Sequence, residues 1–218
     1  MNDIMLSVDC SNKWTCLGLA CKGELFAEIN SDLGRKQASK LPLLVDELLN
    51  RKGVKLSDVS CVAVTVGPGY FTGIRIGMAY AAALAYALDV EVVPLSSLEV
   101  LLRTVPDWKC DSKAALIAAS RELAFCALWH NGQLILSEKE RRRDELLSEC
   151  AAQKLDCEFW AVDDARLFAS TDRSGIHFLP CPSGAAAALL AWENRQNSIK
   201  PDSLRARYLR EPGLGRSL

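Results

Sequence analysis

Apolar residues alternate with small or polar ones over Ile4 to Cys10, Trp14 to Cys21 and Glu24 to Ile29. This period of two predicts three strands. The runs are broken at Ser11-Asn12-Lys13 and Lys22-Gly23, so the strands are expected to form a meander of two hairpins. The period then changes: Leu41, Leu44, Val45, Leu48 and Leu49 recur at helical spacing. A helix is therefore expected over Ser39 to Lys52, with Ser39 as N-cap and Gly53 as C-cap. Pro42 would fall in its first turn, where the N–H has no partner in any case. Val59 to Val66 reads as a buried strand, Ile74 to Leu88 as an alanine-rich helix and Val90 to Leu95 as a further strand, giving the order β-β-β-α-β-α-β.

Beyond this point the pattern is thinner. Trp108 to Ser112, after Pro106 and Asp107, reads as a linker that divides a first lobe, 1–104, from a second, 105–218. Strands are expected near Ala114 to Ile117, Leu123 to Trp129, Gln133 to Leu136 and Glu158 to Val162, with helices near Asp144 to Ala152 and Ala185 to Trp192. These make a second, smaller α/β lobe.

The most constrained segment runs from Val66 through Gly67-Pro68-Gly69-Tyr70-Phe71-Thr72-Gly73-Ile74-Arg75-Ile76-Gly77. Its glycines permit close backbone approach, Pro68 fixes φ, and Thr72 stands where a helix N-cap is expected. Such a loop either cradles a phosphate on backbone N–H groups or packs a strand tightly against a helix. Spacing argues against the phosphate motifs. A Walker loop requires Lys and then Ser or Thr where this chain has Gly73-Ile74 counted from Gly67, or Arg75-Ile76 counted from Gly69. A dinucleotide fingerprint requires a glycine at the place of Thr72. Gly67, Pro68, Gly69, Thr72, Gly73, Arg75 and Gly77 are therefore read as a structural corner, with Thr72 and Arg75 free to organise an anion or a partner's helix end.

The order β-β-β-α-β-α-β resembles the ribonuclease H-like half of the actin-like ATPase and sugar-kinase superfold. The expected fold class is thus α/β, with two such lobes and the second one reduced. Four segments make the resemblance specific: Leu6-Ser7-Val8-Asp9-Cys10-Ser11, the helix from Leu41 to Leu49, the glycine loop, and Val93-Pro94-Leu95-Ser96-Ser97-Leu98. Together with Arg207-Tyr208-Leu209-Arg210 near the end, they are similar to the TsaB (YeaZ) family. That resemblance implies a non-catalytic subunit of the complex that places a threonylcarbamoyl group on adenosine in tRNA. It also implies TsaD as partner, the ATPase TsaE in a larger assembly, a homodimer in isolation, and tRNA contact only through the complex. In that family two helices of the first lobe pack against a partner, which makes Leu44, Leu48, Met78, Ala82 and Tyr86 the expected interface residues.

The inventory of chemical groups fits this implication. The chain has two histidines, His130 directly after an expected strand and His177 within Ile176 to Leu179, each read as an ordinary strand residue, and it lacks the His-x-x-x-His metal pair that the resemblance associates with TsaD. TsaB relatives often carry His-Ser before the first long helix, where this chain has Gln37-Ala38. Asp9 and Ser11 stand where a vestigial phosphate site would lie, but Asp163-Asp164-Ala165 lacks the glycine of a second acidic turn. Neither a metal nor a cofactor is expected. The alternative is a small-molecule kinase or ATPase of the same superfold that uses Asp9 and the glycine loop. No Gly-x-Ser-x-Gly elbow supports peptidase chemistry. Where relatives show Asp-Ala-Arg, this chain has Ala118-Ala119-Ser120.

Nine cysteines, an odd number with no Cys-x-x-Cys pair, point to reduced thiols and a cytoplasmic setting. The apolar run Met78 to Leu88 is too short to span a bilayer, so no membrane association is expected. A net charge of -1 provides no basic face for RNA. Arg141-Arg142-Arg143 and the tail arginines Arg205, Arg207, Arg210 and Arg216 are local exceptions, read by default as solvated charge and otherwise as contacts to RNA or a partner.

Overall fold

The computed structural model describes residues 3–105, 110–120, 122–152, 154, 157, 159–168 and 175–210. The expected meander forms as β1 (Ile4–Asp9), β2 (Trp14–Cys21) and β3 (Glu24–Asp32), with Asp9 opposite Cys16 and Ile4 opposite Cys21. β4 (Val59–Gly67) and β5 (Glu91–Ser96) add in parallel, giving the order β3-β2-β1-β4-β5. Alternation along β1 sorts its side chains to two cores. Ile4, Leu6 and Val8 face helices α1 (Gln37–Asn50) and α2 (Phe71–Leu88), whereas Met5 faces the opposite side with Ala63, Val93 and Leu95.

Both helices begin earlier than their sequence signals suggest. Ser39 does not cap α1; it sits inside the first turn, where its hydroxyl donates to the Lys36 carbonyl at 3.1 Å. Pro42 is consequently in the helix body, on an exposed position where the missing N–H is least costly. The start is set instead by buried Gln37, whose Nε2 donates to the carbonyls of Asn12 at 3.0 Å and Trp14 at 2.9 Å. Likewise Tyr70, in extended conformation, occupies the N-cap position of α2, and Thr72 lies exposed within the first turn. Gly53, at φ +64°, turns the chain out of α1 as expected.

A short helix that alternation did not reveal, α3 (Ser97–Arg103), follows β5 directly, with the Ser96 hydroxyl accepting from the Glu99 N–H. Residues 106–109, which include Trp108 and Lys109 of the expected linker, lie outside the described residues. The second sheet comprises β6 (Ser112–Ala118), β7 (Leu123–His130), β8 (Gln133–Arg142), β9 (Phe159–Val162) and β10 (Ile176–Phe178), in the order β10-β9-β6-β7-β8. Read from the other edge, this is the topology of the first sheet. Between β9 and β10 the described residues hold a 3-10 turn, Ala165–Phe168, where the first sheet has α2 between β4 and β5. Glu158 lies outside the described residues. β8 outruns its apolar portion because its polar end is held through side chains described below.

α4 (Arg143–Ala152) covers the outer face of the second sheet through Leu146 and Cys150. α3 lies between the sheets, with Leu98, Leu101 and Leu102 on the second sheet and Val100 on the first. The final helix, α5 (Gly184–Glu193), belongs to the second half of the chain but packs on the first sheet through Ala187, Leu190 and Ala191. Its first residue sits so close to β2 that a Cβ on Gly184 would lie 2.1 Å from the Leu17 carbonyl oxygen. The layers therefore run α1 and α2, first sheet, α3 and α5, second sheet, α4.

Candidate functional site

The glycine loop packs against the β1–β2 turn. The Tyr70 N–H donates to the Ser11 carbonyl at 2.6 Å. A Cβ on Gly69 would lie 2.3 Å from that same oxygen, one on Gly73 would lie 2.0 Å from the Cys10 carbonyl oxygen, and one on Gly67 would lie 2.6 Å from the Arg207 carbonyl oxygen. Only hydrogen fits at such distances. Pro68 follows a cis peptide bond, and Gly77 packs beside Cys10 and Val64.

Asp9 ends β1 beneath this corner, with 1% of its surface exposed. Its Oδ1 accepts from the Ser11 N–H at 2.8 Å and the Thr65 hydroxyl at 2.9 Å, while Oδ2 is buried without a partner. Burial pushes its pKa up, against the lowering effect of the Ser11 and Thr65 hydrogen bonds. Asp9 and Ser11 thus support the turn that receives the glycine loop. Among the described residues, no group of three His, Cys, Asp or Glu side chains is placed to hold a metal ion.

A cavity of about 510 Å³ opens between the lobes, lined by Asn12, Lys13 and Tyr70 from the first and by Ala118, Ala119, Ser120, Asp163, Asp164 and Arg166 from the second. The Ala118 to Ser120 departure noted in the sequence therefore falls on this cleft. Asp163 Oδ1 accepts from the Ala118 N–H at 2.8 Å. Burial still raises its pKa to about 6, with the neighbouring Asp164 adding to the shift. Arg166, whose Nε lies 2.9 Å from each carboxylate oxygen, lowers the Asp164 pKa.

The C-terminal segment passes between the lobes. Its Arg207 N–H donates to the Val66 carbonyl at 2.7 Å, and the Arg207 guanidinium donates to Glu138 on β8 at 2.6 Å. Arg210 pairs with Glu140 on the same strand. Tyr208 packs 5.0 Å from the Phe71 ring, and the Arg75 guanidinium stacks 3.7 Å above Phe71 while Nε donates to the Tyr208 hydroxyl at 3.0 Å. Arg75 is thus engaged by the chain's own tail. Within the arginine runs, Arg141 is buried against Glu149 and Arg142 pairs with Glu122, whereas Arg205 is exposed and donates to the Asp202 and Leu204 carbonyls. Arg121 and Arg216 lie outside the described residues. The histidines are strand residues, His130 beside the Ser112 hydroxyl and His177 stacked on Phe159.

The outer face of α1 and α2 is the other feature. α2 is long and apolar enough to cross a membrane by length and composition, yet it lies along β4 with Gly73, Ile74, Gly77, Ala81 and Ala85 buried. Its far side leaves Ala79, Ala83, Tyr86 and Ala87 exposed, and Leu43 of α1 is 58% exposed. Of the five interface residues expected from sequence, Tyr86 is 83% exposed, whereas Leu44, Met78 and Ala82 are half-buried against the chain's own core. Leu48 is fully buried beneath α1 and is a core residue rather than a surface one. Helical phase moves the accessible positions to Leu43, Ala79 and Ala83.

The family described as TsaD, tRNA N6-adenosine threonylcarbamoyltransferase, matches residues 31–128, from β3 into β7. A crystal structure of an uncharacterized protein with similarity to peptidase YeaZ from Pseudomonas aeruginosa superposes with a TM-score of 0.80 at 26% identity, covering 95% of this chain and 100% of that one. Two sheets of one topology with α3 and α5 packed between them, and a glycine corner beside the cleft, define an α/β fold of the actin-like ATPase and sugar-kinase type. TsaB proteins of Haemophilus influenzae, 33% identical over 100 residues, and Bacillus subtilis, 34% identical over 97, align with 46% and 44% of this chain. The chain is similar to the TsaB (YeaZ) proteins. Its match spans 42% of the length of each of those two relatives.

Proposed function

We propose that this chain is a non-catalytic, cytoplasmic subunit of the machinery that forms threonylcarbamoyladenosine in tRNA, and that it binds and stabilises a TsaD-type transferase. The observation that carries the reading is the uncovered apolar face of α1 and α2, where Leu43, Ala79, Ala83 and Tyr86 lie open in a single chain. Small alanines let a second helix approach closely, and an exposed tyrosine supplies an interface anchor. The relatives named as tRNA threonylcarbamoyladenosine biosynthesis proteins support the assignment of this face to that pathway. In the absence of TsaD the same face would pair two copies of this chain. TsaE would join the larger assembly, and tRNA would be contacted through the complex.

The competing reading, a small-molecule kinase or ATPase, has less support. Asp9 is buried, and one of its oxygens is committed to its own turn. Size exclusion with light scattering, run on this protein alone and mixed with the TsaD of the same organism, tests both readings when ATP binding is followed in each sample. A mixed complex that displaces any homodimer, without ATP bound to this chain alone, is expected. Ala83→Glu, on the exposed face, is expected to weaken association at least about tenfold while leaving the fold intact by circular dichroism. Unchanged association of a folded Ala83→Glu variant would move the interface elsewhere. Tight ATP binding by the chain alone, with no association, would favour the kinase reading.

A further inference from the structure

Cys16 on β2 and Cys181, in the segment that enters α5, place their sulfurs 3.9 Å apart although 165 residues separate them in sequence. Both sulfurs lie within hydrogen-bonding reach of one acceptor, the Pro182 carbonyl, 3.0 Å from Cys16 and 3.1 Å from Cys181. That shared carbonyl holds the two sulfurs side by side, and the flanking Pro180 and Pro182 limit how far Cys181 can turn away. The two thiols differ in setting. Cys16 is buried, while Cys181 is partly exposed beside the cleft that Pro180 lines. We infer that Cys16 and Cys181 form a peroxide-sensitive thiol pair whose disulfide staples the first lobe to the chain returning from the second.

The electrostatics assign the roles. The hydrogen bond with Cys16 is the leading effect on Cys181 and lowers its pKa, against burial and the carboxylates of Asp9, Glu28 and Asp32. The same hydrogen bond and then burial drive the Cys16 pKa well up. Cys181 is therefore the attacking thiolate and Cys16 the resolving thiol. The Cys181 thiolate displaces hydroxide from hydrogen peroxide to give a sulfenic acid. The Cys16 sulfur then attacks that sulfur, forming the S–S bond, and the sulfenic oxygen leaves as water with the Cys16 proton. Two electrons pass from the two thiols to one peroxide, and a dithiol reverses the step. Closure needs the sulfurs to approach from 3.9 Å to about 2.05 Å, and so requires a rotation of the Cys181 side chain and a small shift of its segment.

Peptide mapping of the full chain after limiting hydrogen peroxide and thiol blocking reads this directly. A peptide pair joined through Cys16 and Cys181, abolished by dithiothreitol, with two of the nine thiols lost first, is expected. In Cys16→Ser, Cys181 should stop at the sulfenic acid and be trapped by dimedone; in Cys181→Ser, Cys16 should stay reduced. Absence of the joined pair in the unmodified protein, or preferential linkage of other cysteines, overturns the proposal. Failure of dimedone to label Cys181 in a folded Cys16→Ser variant overturns the assignment of roles.

Discussion

Asp163 is the residue at which the cleft sets burial against charge. With its pKa raised to about 6 from 3.8, the folded protein holds a proton that the unfolded chain releases. The stability linked to this group is therefore full below about pH 3.8 and is lost as pH rises through about 6. Asp163→Asn keeps an oxygen for the Ala118 N–H and removes the charge. It should gain on the parent by about 2 kcal/mol at pH 8 and by little at pH 4. Urea titrations of both proteins at the two pH values check this, and a difference that does not change with pH would contradict it. Gly73 tests the glycine corner in the same direct way. Because a Cβ there would stand 2.0 Å from a backbone oxygen, Gly73→Ala should cost about 2 to 3 kcal/mol, seen as a lower urea midpoint at unchanged slope. An unchanged midpoint would mean that the corner yields easily.

At the level of elements, α5 shows how a helix end is secured from a distance. Ser183 accepts from the Ala186 N–H at 3.1 Å, while Glu28 of β3 accepts from the Ala185 N–H at 2.9 Å and Asn30 accepts from the Gly184 N–H at 2.9 Å. Ser183→Ala should remove about 1 kcal/mol of stability, measured by thermal or urea unfolding. A neutral result would assign the capping to Glu28 and Asn30 alone. The strands were legible in the sequence because alternation is a local signal, and the meander emerged nearly residue for residue. Helix starts were not, since they are fixed by partners remote in sequence: Gln37 by Asn12 and Trp14, and Gly73 by Cys10. α3 escaped notice because Ser97, Leu98, Val100, Leu101 and Leu102 are buried on several sides, which erases the one-faced period a surface helix shows. β8 runs beyond its apolar stretch because Glu138 and Glu140, loop-like in sequence, are paired by Arg207 and Arg210.

For the whole molecule, the sequence carried the superfold and the family resemblance, but the cleft had to be assembled in space. Its wall brings together residues near positions 12, 70, 119, 164 and 180, and no local motif joins them. That Leu48 is fully buried is hidden for a related reason: a helix that can bury either of two stripes gives no sign of which one meets its own sheet. The return of α5 to the first sheet also has a consequence for biosynthesis. A nascent chain that has emerged only as far as residue 104 lacks the helix that covers Met5, Ala63, Val93 and Leu95. The first lobe therefore cannot complete its folding while its own residues are leaving the ribosome; it must wait for those after 183. A 1–104 fragment made alone should aggregate or bind a hydrophobic dye, and a soluble fragment with a cooperative melt would contradict this. During that interval the growing polypeptide is a client for chaperones, and truncations late in the message should be as damaging to the first lobe as to the last.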